Sequence, residues 1–126
     1  MIAKTFLFVE KTAFSDCVSN WCAELGFGFE FIDAKNQYIE NVDGLIMFHN
    51  NHDFTKVAED LKAHFDQNNI PVHKVDINGT IVATSSNFIL WLERNQVNRV
   101  IITGDANLST NPNLVRFFES LARAAK

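Results

Sequence analysis

Three polar clusters hold the side chains that could do chemistry. The first is Thr103-Gly104-Asp105, which closes the apolar run Val100-Ile101-Ile102 and leads to Asn107, Ser109 and Thr110. A glycine there lets the backbone leave a strand sharply and come close to a neighbour. Ser109, Thr110 and the helix N-terminus that follows can donate to an anion. Asp105 can accept from a ribose hydroxyl or take a proton as a general base. The second cluster is His49-Asn50-Asn51-His52-Asp53. His49, His52 and Asp53 are zinc-ligand types, but they lack the four-residue helical spacing and a third distant ligand, so no metal is assigned. Asn50, Asn51 and Asp53 are assigned to ligand binding. The third cluster is Glu10-Lys11-Thr12. It adds Glu10 as a second candidate base and Thr12 as a hydroxyl. The same residue types also build plain capped turns, in which Asp105 and Ser109 satisfy loop amides, and that alternative stays open.

Several reaction classes lose support. There is no Gly-x-Ser-x-Gly elbow for a serine nucleophile. There is no Gly-x-x-x-x-Gly-Lys-Ser/Thr loop for a nucleoside triphosphate. The first strand–helix turn, Glu10 to Ser15, has no glycine, so the dinucleotide fingerprint is missing and no cofactor is named. Cys17 and Cys22 have neither a zinc-knuckle nor a redox-pair spacing and read as free buried thiols. His64 and His73 read as structural.

Composition narrows the class further. The 126 residues are 47% hydrophobic and 21% charged, which is ordinary for one globular domain. The 12 Phe against 1 Tyr point to a thick apolar core rather than an aromatic recognition surface. Net charge is -4 and the cations are scattered, so duplex nucleic acid is excluded as a partner. No stretch approaches the ~20 apolar residues of a membrane span. The N-terminus lacks a signal-peptide pattern, and a cytoplasmic location is expected.

The elements that must position these clusters follow from periodicity. Thr5–Val9 and Gly44–Phe48 are apolar on both faces, as strands covered on both sides are. Gly28–Ile32 alternates and reads as a strand at a sheet edge. Asp33–Asn36 is a turn, with Tyr38-Ile39 as a short extension. Val72–Ile77 and Arg99–Thr103 complete five strands. Helices are expected from Phe14 to Leu25, capped by Thr12 or Ser15 and stopped by Gly26, and from about Phe54 to Gln67. Two more run from about Ser86 to Asn95 and from Pro112 to Ala125. Asn78-Gly79 is expected to turn a short hairpin or arm into Thr80–Ala83. The sum is one α/β domain over residues 1–126, a Rossmann-like, flavodoxin-like three-layer sandwich with a mostly parallel five-stranded sheet. Ligands bind such sheets beyond the strand C-termini, where the strand order reverses. All three clusters follow strand ends and share that rim.

The run Val42-Asp43-Gly44-Leu45-Ile46-Met47-Phe48, the helix after it, Ile70-Pro71-Val72 and the Trp91-Leu92 helix resemble the SLOG superfamily of Rossmann-like nucleotide-binding proteins. That superfamily includes molybdenum-carrier-like proteins and lysine-decarboxylase-like phosphoribohydrolases. The resemblance covers about the last two-thirds of the chain. Its most specific part is the tail, where a strand ends on Thr103-Gly104-Asp105 before the helix at Pro112. The family's glycine-rich turn after its third strand is replaced by Asn50-Asn51-His52-Asp53, with Thr55 and Glu59 matching the Thr and Glu that follow it. The glycine-rich turn after the first strand is absent. The resemblance implies a nucleotide-type ligand and carries no catalysis across.

These readings combine into an expected function: binding of a nucleotide or other phosphorylated small molecule on the rim, with hydrolysis of an N-glycosidic or phosphoester bond if the protein is an enzyme. The alternative is a non-enzymatic regulatory or interaction module that forms a homo-oligomer through apolar helices.

Overall fold

The five strands pair in the order β2-β1-β5-β3-β4, every neighbour parallel. They are β1 (Thr5–Phe8), β2 (Gly28–Phe31), β3 (Gly44–His49), β4 (Val72–Asp76) and β5 (Arg99–Thr103). Four helices alternate with them: α1 (Ala13–Leu25), α2 (Lys56–Gln67), α3 (Ile81–Arg94) and α4 (Pro112–Ala124). The structure is a computed structural model that describes residues 5–32 and 42–124. The expected turn at Asp33–Asn36 and the extension at Tyr38-Ile39 lie outside the described residues.

The helices are shared unequally between the two faces. Phe6, Phe8, Ile46, Phe48, Val100 and Ile102 point to the face covered by α1, α3 and α4. Leu7, Leu45, Met47 and Ile101 point to the other, where Ala58, Leu61 and Phe65 of α2 meet them. This is the period-2 pattern of strands buried on both faces. The α1 and α3 crossovers both step towards β2, while the α2 crossover steps the opposite way on the opposite face. Connections of one shared hand require that arrangement.

Local signals set most boundaries. Thr12 caps α1 in a reciprocal box with Ser15: the Ser15 N–H donates to Thr12 Oγ1 at 3.3 Å, and the Thr12 N–H donates to Ser15 Oγ at 2.8 Å. Gly26 ends the helix at φ 80, a conformation that costs a glycine little. Pro112 is the first residue of α4, and Asn111 Oδ1 accepts from the Asn113 N–H at 2.9 Å. α2 starts at Lys56 rather than Phe54, because Thr55 takes the cap and accepts from the Ala58 N–H at 3.1 Å.

The expected arm at Thr80–Ala83 is corrected: Ile81 already begins α3. Neither Asn78 nor Gly79 has the positive φ that a two-residue hairpin turn requires. Asp76 instead closes a tight turn, its Oδ1 accepting from the Asn78 N–H at 2.9 Å and its carbonyl from the Gly79 N–H at 3.2 Å. Ile81, Ser85, Phe88 and Leu92 then follow at helical spacing and face the core. A short 3-10 helix, Ala106–Thr110, occupies what reads in the sequence as an open polar loop.

Candidate functional site

The connection after β1 leaves by α1 over one face, and the connection after β3 leaves by α2 over the other. β5 lies between β1 and β3. The strand order therefore reverses here, and a crevice opens at the carboxyl ends. It measures about 250 Å³ out to its open mouth. About 10 Å³ of it admits the centre of a water-sized sphere, room for about one water.

Each wall comes from a separate element. Val9 and Glu10 follow β1, and Thr12, Phe14 and Ser15 form the first turn of α1. Thr55 and Val57 open α2. Ile102, Thr103 and Gly104 end β5. The N-termini of α1 and α2 both border the crevice, and their first-turn amides have no intrahelical partner by construction. Thr103 is buried, and its hydroxyl donates to the Ile46 carbonyl at 3.3 Å, tying β5 to β3 under the floor.

Of the residues expected at the site, Glu10, Thr12, Thr103 and Gly104 line this crevice together. Asp105, Ser109 and Thr110 are not among its walls. Asp105 caps the 3-10 helix, its Oδ1 accepting from the Asn107 N–H at 2.8 Å. Ser109 donates to the Ala106 carbonyl at 2.8 Å and Thr110 to the Asn107 carbonyl at 2.9 Å. Gly104 does make a close approach, but to a side chain: a Cβ there would stand 2.6 Å from Cζ of the buried Phe14 ring.

The second cluster forms its own corner beside β4. Asn50 and Asp53 close a tight turn through a 3.1 Å bond from the Asp53 N–H to the Asn50 carbonyl. Asn51 and His52 at its centre take φ 55 and 64. Asn78 Nδ2 donates to Asn50 Oδ1 and to Asn51 Oδ1, bridging the turn to the end of β4. His49 is buried at the end of β3, stacked on His52 at 5.0 Å, and its Nδ1 accepts from the His52 N–H at 3.1 Å. Burial holds the His49 imidazole below its ordinary pKa. The Asp76 carboxylate opposes that shift, and His52 and Lys74 add to it. Among the described residues no group of three or more His, Cys, Asp and Glu could hold a metal ion. His73 is stacked on Trp91 at 5.3 Å and also shifted down by burial, whereas His64 is exposed on α2.

Sequence reasoning did not assign Ser15 or Thr55 to the site. A usable signal existed: both lie in the first turn, or at the cap, of the helices that follow β1 and β3, the two strands flanking the reversal.

A solved structure shares this architecture. A protein from Syntrophus aciditrophicus SB, described as "Putative molybdenum carrier protein", superimposes with a TM-score of 0.70 over 97% of this chain and 94% of its own, at 9% identity. The Rossmann-like fold is common to both. No protein-family model matches the sequence, and no curated protein matches it. No described helix is long and apolar enough to cross a membrane.

Proposed function

We propose that the protein binds a phosphorylated small molecule, a nucleotide or sugar phosphate, in the crevice between α1, α2 and β5. One observation carries the reading. The N-terminal turns of two helices from opposite faces of the sheet converge on one opening that also holds Glu10, Thr12, Ser15, Thr55, Thr103 and Gly104. Helix N-termini favour negative charge, so a phosphoryl group lies against the amides of α1 and α2. Glu10 accepts from a sugar hydroxyl. The crevice is smaller than the roughly 300–1,000 Å³ typical of drug-sized sites, so it takes the phosphoryl end. The remainder of the ligand extends over the rim towards Asp105, Ser109, Thr110 and the Asn50–Asp53 turn. If the bound ester or N-glycosidic bond is hydrolysed, Glu10 is the general base that takes the proton from water, with Asp105 further out on the same rim.

The test is a thermal-shift panel of inorganic phosphate, ribose 5-phosphate, adenosine 5′-phosphate and divalent metals. Molybdate joins it because the structural neighbour is described as a molybdenum carrier. A ligand at a hundred times its Kd adds about 2.7 kcal/mol, a rise of roughly 10 °C in Tm for a chain this size. Glu10→Gln is expected to abolish turnover, and Asp105→Ala to remove the ligand-induced rise. A flat panel overturns the reading.

The alternative, a non-enzymatic interaction module, draws on a different observation. The polar groups of Asp105, Ser109 and Thr110 are all engaged within their own loop. A flat panel together with a folded Asp105→Ala variant of altered oligomeric state would favour it.

A further inference from the structure

The outer face of α3 is unusual for a helix on a protein surface. From Ile81 to Leu92 it carries no charged residue, although Val82, Ala83, Ser86, Asn87 and Leu90 all face outward. Val82 is 69% exposed and Leu90 44%, more than surface aliphatics need to be when a core could take them. Charge begins only at the margins, with Arg94 at the end of α3 and Arg116, Glu119 and Arg123 on the adjacent α4. An uncharged centre inside a charged rim, with arginine in that rim, is the anatomy of a protein interface.

The pattern is also symmetric. Val82, Ser86 and Leu90 are spaced by four residues and form one stripe. If a second α3 crosses antiparallel with Ser86 on a two-fold axis, Val82 of each copy meets Leu90 of the other. The small Ser86 pair then permits close approach at the crossing. An isologous interface requires this self-complementarity, because the same patch serves both partners. The groove beside the stripe supports it. Between α3 and α4 lies an opening of about 910 Å³, bordered by Val82, Ser86, Arg116 and Arg123. The antiparallel arrangement lays the carboxyl end of the partner's α3 over that groove. A helix C-terminus carries partial negative charge and favours cations. The two guanidinium groups there are held only by Asn113 Oδ1 at 3.3 Å and the Glu119 carbonyl at 3.4 Å.

We propose that the α3–α4 face binds a second copy of this chain, giving a two-fold dimer centred on Ser86. α3 is about 20 Å long, and two adjacent helices span about 20 Å in width. Such a face can bury roughly 800 Å² per partner, the size of a standard stable interface. It lies away from the crevice at the strand carboxyl ends, so the dimer stands or falls independently of the ligand reading.

The experiment is sedimentation of the full chain across a concentration series, with Val82→Glu, Leu90→Glu and Ser86→Cys variants. Both glutamate substitutions are at exposed positions, and an unchanged melting curve at low concentration verifies folding. The wild type is expected to dimerise. Each glutamate variant should weaken dimerisation about 100-fold or more, because every substitution strikes a two-fold interface twice. Ser86→Cys should form a disulfide-linked dimer under mild oxidation, as the two positions fall within the bonding range of about 4.4–6.8 Å between Cα atoms, while the wild type with Cys17 and Cys22 does not. A wild type that remains monomeric at millimolar concentration overturns the proposal. So does a dimer that survives Val82→Glu and Leu90→Glu, or one in which Ser86→Cys fails to cross-link.

Discussion

Gly104→Ala is the perturbation that separates a glycine kept for a ligand from a glycine kept for the core. The added Cβ would lie 2.6, 2.7 and 2.8 Å from three carbons of the Phe14 ring. Contacts that short do not occur, so something must move. Phe14 is 2% exposed, and its ring packs on Phe48 at a centroid distance of 5.5 Å, so it has little room to retreat. Gly104 is not among the residues of positive φ, so backbone strain adds nothing and the penalty is overpacking alone. Forcing an extra methyl into a filled core costs about 1–3 kcal/mol. Unfolding entropy for a chain this long makes each kcal/mol worth about 4 °C in Tm. The ligand-free variant should therefore melt roughly 4–11 °C lower. Phe14→Leu removes the clashing atoms at its own cavity cost. The double variant Gly104→Ala/Phe14→Leu should accordingly lose less than the sum of the two single losses, by about 1 kcal/mol or more. Calorimetry of the four proteins without ligand checks this. A Gly104→Ala variant that melts with the wild type, or strictly additive losses, would refute the packing argument and return Gly104 to a purely ligand-facing role.

Acid should destabilise the fold before the carboxylates titrate. Burial lowers the folded-state pKa of His49 and His73 below 6.5, so the unfolded chain binds more protons just below that pH. Stability is then fully present above about pH 6.5 and is lost as pH falls towards the folded pKa values. Urea midpoints at pH 7.5 and 5.5 should show this fall, and His73→Phe should flatten it; a rise on acidification contradicts the assignment. The Cys22 thiol, pushed up to about 12 by burial, should be inert to a disulfide reagent at pH 8. Only Cys17, half-buried and shifted up less strongly, should react before unfolding. Two thiols titrating in the native protein would show that α1 is not seated as described.

The elements were legible because their signals are local. Thr12 and Ser15, Gly26, Asn111 and Pro112 mark helix ends within a few residues of chain, and the apolar runs of β1, β3 and β5 require cover on both faces. The start of α3 was missed for a local reason as well. Asn78-Gly79 is a hairpin dipeptide by type, and only its backbone angles, set by Asp76 and by the packing of Ile81 and Ser85, show otherwise.

What the chain determined by itself is thus a set of strands and helices, their buried sides, and a list of polar residues that follow strand ends. Which of those residues meet was decided by the strand order, in which β5 inserts between β1 and β3 and brings Gly104 to Thr12 and Thr55 while leaving Asn50 and Asn51 with Asn78. That choice depends on contacts between segments far apart in sequence, and periodicity reports only how each segment divides between core and solvent. Gly104 makes the point in one residue. Its type announces a close approach, and only the packed structure reveals that what approaches is Phe14.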